Sequence, residues 1–311
     1  MKPRLPIVMT PEPTLIAPVN QAPAPALRMM SERASLASLL SPISMAKSLY
    51  SLREIVIRFS ERELLSRNKG SALGFIWTVL QPLLMLAVYT FVFAVVWQAK
   101  WGVGGAAAGE SNATFALSVF CGLIMFDLFA ATVGASAAIV VNNANYVKKV
   151  IFPLEALPLA QLGAGLCTFA ISLLILLTGN FFFGSGLSKT VYFVPLVLLP
   201  MVALAAGVAW FVASLGVYLR DLRQLVSGLL LPVLFFVTPV FYPSERVPAA
   251  FAWILAINPL AGLVENARRV MLYGQMPDWP SLITVAVVSL LVMQLGYAFF
   301  MKSKRSFADV L

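Results

Sequence analysis

The sequence contains no histidine and only two cysteines among its 311 residues. The first absence excludes histidine-based acid–base catalysis and the usual imidazole metal sites. Cys121 and Cys167 each lie alone in an apolar run, which favours small buried hydrophobes over a disulfide framework or a redox pair. None of the nine lysines follows a glycine, so the Gly-Lys-Ser/Thr of a phosphate-binding loop is missing. If ATP drives this protein, another chain must hydrolyse it.

Charged residues are also scarce. Only 11% of the chain is charged while 60% is apolar, whereas a soluble domain is about a quarter charged and about half apolar or less. A mean hydropathy of +0.89 over 33.7 kDa is too high for one globular core to conceal. The composition therefore predicts a polytopic, all-helical membrane protein.

Long runs without charge set the number of spans. A helix needs about 20 apolar residues to cross the hydrocarbon layer, and the gaps between successive charges reach 33 residues between Glu155 and Lys189. Six spans are predicted, near residues 72–98, 115–140, 159–181, 191–217, 224–241 and 281–301. The 18 uncharged residues between Arg246 and Glu265 are also apolar, but Pro248, Asn258 and Pro259 interrupt them. We therefore expect residues 242–279 to form short helices that dip partway into the membrane, because irregular backbone must be shielded from lipid.

The distribution of basic residues predicts the orientation. With the amino terminus inside, 17 of the 22 lysines and arginines fall in cytosolic segments, as the positive-inside rule requires. The net charge of +9 is thereby explained by topology and lipid contact, and nucleic-acid binding is not expected. We expect a multi-pass protein of a bacterial inner membrane with both termini cytosolic.

Two segments precede the first span. Residues 1–45 are rich in proline without a sustained apolar period, which predicts a disordered cytosolic tail and no signal peptide. Residues 46–70 are basic, and Leu49, Leu52 and Phe59 recur at helical spacing. An amphipathic helix in the headgroup plane is predicted there, with an ordinary docking helix as the alternative. Residues 71–311 form the predicted transmembrane domain.

The predicted cytosolic loop 142–155 combines asparagines, a lysine pair, apolar residues and Pro153. A short helix parallel to the membrane would seat an apolar side chain in a partner's groove while the lysines steer it. A tight connector whose lysines only set topology is equally compatible with the composition.

Several motifs, in order and with matching spacing, resemble one known family from about Leu49 to Leu311. They are Gly70 to Trp77 with Gln81-Pro82, Asn145 to Glu155 with Leu157-Pro158, Tyr218 to Leu222, Pro239 to Pro243, Asn258 to Leu260, and Arg268 to Gly274. The chain resembles the membrane subunits of ABC-2 type polysaccharide exporters, which export O-antigen, capsule or teichoic acid. Two departures are the proline-rich first 45 residues and Asp127, where family members often carry a neutral residue.

The resemblance implies roles for matching residues. Coupling to an ATPase is implied for Asn145, Tyr146, Lys148, Lys149, Phe152, Pro153, Glu155, Arg220 and Asp221. An interface helix is implied around Arg53, Arg58, Arg62, Arg67 and Lys69, and outward-face gate helices between the fifth and sixth spans. The implied partners are a second copy of the chain, two nucleotide-binding ATPase subunits that hold ATP and Mg²⁺, and a lipid-linked glycan such as O-antigen on undecaprenyl diphosphate. No cofactor is expected in this chain.

Candidate pore or gate residues are polar or aromatic side chains in or near the spans. They are Trp77, Tyr89, Asp127, Tyr242, Asn258, Pro259, Arg268 and Arg269. A carboxylate at membrane depth should face a pore, a partner or water, and aromatic rings can stack on sugars or anchor at the interface. The arginine pair can meet phosphate oxygens or pair with Glu265, one helical turn away.

Three other functions remain open. The same architecture can export a drug or an ordinary lipid instead of a glycan. An intramembrane glycosyltransferase would need clustered acids, which the isolated Glu110 and Asp127 do not supply. A scaffold that transports nothing would leave the loop at 142–155 unexplained.

Overall fold

The computed structural model describes residues 41–67, 71, 73–74, 76–96, 112–148, 152–184 and 186–311. Over these ranges the secondary structure is helical and contains no β-strand. The first four helices are α1 (Pro42–Ser51), α2 (Arg53–Arg67), α3 (Ile76–Tyr89) and α4 (Asn112–Ser136). The next four are α5 (Ile139–Asn142), α6 (Ala144–Lys148), α7 (Ala156–Phe183) and α8 (Val194–Tyr218).

Six further α-helices follow in the described chain. They are α9 (Leu222–Leu225), α10 (Leu231–Val237), α11 (Ala252–Ile257), α12 (Pro259–Met271), α13 (Trp279–Ser303) and α14 (Phe307–Val310). Within the described ranges, four short 3-10 helices lie at Lys189–Phe193, Ser244–Arg246, Ala249–Phe251 and Lys304–Ser306. Two π-helical turns, Thr90–Val96 and Val226–Leu230, extend α3 and join α9 to α10. Pro232 lies just after the second turn, and its missing N–H helps explain why regular α-helical bonding is lost there.

Four helical segments of the described chain are long and apolar enough to cross a membrane, or five if one bent pair counts as a span. The four are Ala113–Ser136, Ala156–Phe183, Lys189–Tyr218 and Trp279–Val310. The predicted all-helical, multi-pass architecture is thus confirmed. The remaining two predicted spans, 72–98 and 224–241, correspond to the shorter apolar helices Ile76–Val92 and Leu222–Val237.

The fifth predicted span ends earlier than the hydropathy indicated. The helix stops at Val237, and Thr238 is extended with φ −82° and ψ 135°. Proline at the next position explains this end, because a residue before proline is disfavoured in the helical region.

The segment between α10 and α13 is broken, as its prolines predicted. Residues Ala249–Ile257 and Pro259–Met271 are bent by 92° relative to each other. Asn258 at the bend caps α12, because its side chain accepts a hydrogen bond from the Leu260 N–H at 3.0 Å. Pro259 then occupies the first turn, where its missing N–H costs nothing.

Glycines bring α8 and α13 into backbone contact. A methyl group at Gly296 of α13 would collide with the carbonyl oxygen of Gly207 in α8. A methyl group at Gly207 would lie 2.6 Å from the backbone of Met293. Small residues at such crossings are how membrane helices approach closely.

Candidate functional site

Three aromatic rings join the loop 142–155 to helix α2. The ring of Tyr146 stacks on Phe152 with 4.7 Å between centroids and an interplanar angle of 25°. The ring of Phe59 in α2 lies 5.1 Å from Phe152 and 5.9 Å from Tyr146. Such offset and edge-on pairs are favourable ring geometries. The loop therefore packs against α2 through side chains.

Arg62 adds a polar bond to this group. Its Nη1 donates to the Tyr146 hydroxyl at 3.1 Å, and its guanidinium carbon lies 4.8 Å from the centroid of the Phe59 ring. The second contact is within the range of a cation–π interaction. We call Phe59, Arg62, Tyr146 and Phe152 the aromatic joint.

The other predicted coupling residues occupy three kinds of position. Asn145, Arg220 and Asp221 are exposed, the last two in the turn between α8 and α9. Pro153 is half-buried, and its carbonyl accepts the Ala156 N–H at 2.9 Å at the start of α7. Lys148 ends α6, and Lys149 lies outside the described residues.

Glu155 differs from these because it is buried. Its Oε2 lies 2.6 Å from Lys304 Nζ, beyond the end of α13, and only 8% of its side chain is exposed. Its carbonyl oxygen accepts a hydrogen bond from Trp210 Nε1 of α8 at 3.0 Å. Glu155 thus bonds to the transmembrane helices and does not project from the loop.

Helix α2 lies directly on α7. Ser60 fills the space above Gly163, where a methyl group would collide with its hydroxyl, and Arg67 Nη2 donates to Gln161 Oε1 at 3.3 Å. The faces away from α7 carry Arg53 and Arg58, which are exposed. The predicted cation at Lys69 lies outside the described residues.

A cavity of about 550 Å³ lies between α2, α3, α4 and α7. Its polar lining comprises Arg67, Thr78, Gln81, Tyr89, Asp127, Thr168 and Ser172. With cationic, anionic, hydroxyl and amide groups, the wall can donate and accept hydrogen bonds. Trp77 is exposed on α3 and is not among the lining residues.

Tyr242 and Asn258 both bond to the end of α10. The Tyr242 hydroxyl donates to the carbonyl oxygens of Phe236 and Val237 at 3.0 and 3.3 Å. Burial raises the pKa of Tyr242 above its ordinary value, which keeps this donor protonated. Asn258 Nδ2 donates to Thr238 Oγ1 at 3.0 Å. These bonds tie both ends of the 242–258 stretch to the same helix end.

Arg268 is fully buried and fastens α12 to α4. Its Nε donates to the Ser118 carbonyl at 3.0 Å and its Nη2 to the Val240 carbonyl at 2.8 Å. Its Nη1 lies 3.5 Å from a carboxylate oxygen of Glu265. Of the two partners that the sequence allowed for the arginine pair, phosphate oxygens and Glu265, the structure therefore contains Glu265 at Arg268. The guanidinium lies over Gly122, where a methyl group would be 2.8 Å from Nη2.

Arg269, the next residue, is half-exposed, and its Nε donates to the Met276 carbonyl at 3.2 Å. Tyr273 completes the contact of this region with α4, since its hydroxyl shares a 3.3 Å hydrogen bond with Ser118. Burial raises the pKa of Tyr273 to about 12. The two adjacent arginines therefore have different environments, one internal and one at the surface.

Several residues of these sites were not predicted from the sequence. They are Phe59 as part of the joint, Lys304 and Trp210 at Glu155, and the polar cavity residues Thr78, Gln81, Thr168 and Ser172. Polar residues within apolar spans were a signal for the cavity group. No sequence signal paired Lys304 with Glu155, because 149 positions separate them.

Comparison with known proteins finds matches along most of the chain. A family model described as "ABC-2 type transporter" matches residues 56–272. The chain is 30% identical over 269 residues to the "O-antigen export system permease protein RfbA" of Myxococcus xanthus, covering 86% of this chain and 99% of the relative.

Two further relatives carry related names. A protein of the same name from Klebsiella pneumoniae is 27% identical over 271 residues, covering 86% of this chain and 99% of that protein. The "Polysialic acid transport protein KpsM" of Escherichia coli is 22% identical over 262 residues, covering 82% of this chain and 96% of that protein.

Proposed function

Because the chain belongs to the ABC-2 type transporter family, we propose that it is the permease subunit of an ATP-driven polysaccharide exporter. Its proposed cargo is a lipid-linked glycan, first O-antigen on undecaprenyl diphosphate and second a capsule on its lipid anchor. The observation that carries this proposal is the similarity, over 86% of this chain and 99% of each relative, to proteins named as O-antigen export permeases. The proposed location is a bacterial inner membrane.

The proposed topology has six spans and cytosolic termini. Four spans are the long helices, and the other two are α3 with its π-helical turn and the α9–α10 segment. The bent pair α11–α12 then lies at the outer face as a re-entrant gate, without crossing. The 92° bend and the fastening of α12 to α4 by Arg268 support a fold that enters and returns on one side.

The proposed assembly contains two copies of this chain and two ATPase subunits. ATP hydrolysis in the ATPase pair moves the loop 142–155, and the aromatic joint passes that movement to α2. The joint supports this proposal because it connects the loop to α2 by two kinds of contact, ring packing and the Arg62–Tyr146 hydrogen bond. Helix α2 in turn lies on α7.

The cavity supports a polar path beside the first three spans. Its volume of about 550 Å³ is within the range of small-molecule sites, enough for a headgroup or a few sugar rings. Arg67 supplies a cation suited to a phosphate oxygen, and the hydroxyl-bearing residues supply partners for sugar hydroxyls. Asp127 fits the same role because it lines this polar cavity, where an ionisable group at membrane depth is expected to lie.

Purification of the tagged chain from native membranes tests the assembly. We expect a stoichiometric ATP-binding subunit by mass spectrometry and Mg²⁺-dependent ATP hydrolysis that rises when lipid-linked glycan is added. Hydrolysis that responds to drugs or ordinary lipids, but not to glycan, would replace the proposed cargo. Recovery of the chain without any ATPase would contradict the exporter.

Replacing Tyr146 by alanine should uncouple ATP hydrolysis from export. The change removes two ring contacts and the bond to Arg62, and two aromatic pairs are worth about 1–3 kcal/mol. That range corresponds to about a 5- to 150-fold change in coupling. The amount of glycan exported per ATP hydrolysed should therefore decrease by about 5- to 150-fold. The protein should still insert into the membrane, and the ATPase should still bind.

Tyr192→Ala is the matched control, because Tyr192 is 87% exposed and lies far along the chain from the joint. Tyr146→Phe keeps the rings and removes only the hydroxyl, so its export should be intermediate. If Tyr146→Ala exports as well as Tyr192→Ala, the joint has no part in coupling.

A further inference from the structure

One aromatic residue after α13 is packed into the protein. Phe307 of α14 is fully buried, and its ring lies 5.6 Å from Phe300 and 6.3 Å from Tyr218. The Tyr218 hydroxyl donates to the Ser303 carbonyl at 3.3 Å. Apolar burial of a terminal aromatic holds residues 304–310 against the ends of α8 and α13.

The same segment reaches the loop 142–155. Lys304 pairs with Glu155 at 2.6 Å, with only 18% and 8% of the two side chains exposed. Helix α14 also lies beside α6, which contains Tyr146. The loop is thus held on two sides, by the aromatic joint at one and by the carboxyl-terminal segment at the other.

The Lys304–Glu155 ion pair is largely shielded from water. An ion pair removed from water is stable only if its geometry is good, and loss of one partner leaves an uncompensated charge. Lys302, two residues earlier, is exposed and has the same charge without this burial. Either lysine would satisfy the positive-inside rule, so that rule does not explain why Lys304 is buried.

Glu155 is also where the loop meets α8. Its carbonyl accepts the Trp210 indole N–H, and α8 is in backbone contact with α13 at Gly207 and Gly296. The end of the loop is therefore bonded to α8 through Trp210 and to the end of α13 through Lys304. The α8–α13 pair would then move as one unit, because its helices cannot slide independently at the glycine contact.

We propose that Lys304 and Phe307 form a carboxyl-terminal clasp, a pair of positioning residues that couples the loop 142–155 to the last span. The clasp rests on the proposed function, since it needs an ATPase that moves the loop. It gives a second route for the movement besides the aromatic joint and α2. In this account the clasp does not touch the cargo or the nucleotide.

The test compares Lys304→Ala with Lys302→Ala in the complete exporter, purified with its ATPase and reconstituted. We measure ATP hydrolysis, glycan export per ATP hydrolysed, and the melting temperature of each complex. For Lys304→Ala we expect export per ATP to fall by at least about fivefold, the lower end of ordinary coupling between sites. Lys302→Ala should equal the unmodified protein.

Restoration of the ion pair separates coupling from folding. Glu155→Lys combined with Lys304→Glu should recover export relative to either single change, and Lys304→Arg should retain most of it. If Lys304→Ala does not fold, Phe307→Leu is measured instead, because it weakens the packing of the clasp without removing a charge.

Equal export per ATP for Lys304→Ala and Lys302→Ala would overturn the clasp. So would a loss that merely follows the fraction of folded complex, without recovery in the exchanged pair. An unmodified chain that lacks an ATPase or exports nothing would instead refute the proposed function, so the two failures are distinguishable.

Discussion

Arg268→Ala is expected to lower the free energy of unfolding by about 3–5 kcal/mol, as removal of one member of a buried ion pair does. The guanidinium is fully buried and bonds to two backbone carbonyls, those of Ser118 and Val240, as well as to Glu265. Alanine leaves these carbonyls without their donors and opens a space over Gly122. Denaturant titration of the purified protein in detergent measures the change.

The adjacent Arg269→Ala is the matched control. Arg269 has the same charge and the same helix, but its side chain is half-exposed and bonds to a single carbonyl, that of Met276. Its replacement should cost about 1 kcal/mol or less, the size of one ordinary hydrogen bond. Equal effects at the two positions would contradict the role of Arg268 as the anchor of α12.

Gly296→Ala is the second large effect. The added methyl group meets the carbonyl oxygen of Gly207, which is backbone and has no rotamer that would clear the space. Overpacking costs about 1–3 kcal/mol where side chains can adjust, and here the two helices must separate. We therefore expect at least the upper end of that range, seen as a lower melting temperature and reduced yield in the membrane.

Gly228→Ala serves as the control for Gly296→Ala. Its nearest neighbouring atom would be Gln224 Nε2 at 3.6 Å, an ordinary contact distance. The variant should have a melting temperature close to that of the unmodified protein. A stable Gly296→Ala protein would show that α8 and α13 are not in the close contact described.

The sequence predicted the helical architecture well because lipid exposure forces long uncharged runs. The charge gaps located α4, α7, α8 and α13 to within a few residues. They placed the end of the fifth span too late, at 241 rather than Val237, because hydropathy does not register the effect of Pro239 on Thr238. The π-helical turns were also not predicted, since they depend on hydrogen-bond registers and not on apolarity.

The site was harder to predict because its contacts join distant positions. The loop 142–155 was identified from its composition, but its packing on Phe59 and Arg62 needed the placement of α2. For Arg268 the sequence left phosphate and Glu265 as alternative partners. The carbonyls that accept its N–H groups belong to α4 and to the residues after α10, which are distant in sequence. The resemblance implies a coupling role for Glu155, but nothing in the sequence predicts its burial against Lys304.

The most direct test of the account is transport in inside-out vesicles that contain the chain and its ATPase. Lipid-linked glycan is supplied outside the vesicles, and its protection from an added glycan-cleaving enzyme is followed with and without ATP. We expect protection that requires hydrolysable ATP and is reduced in vesicles with Tyr146→Ala. Protection that is equal without ATP, or none with an active ATPase present, would contradict it.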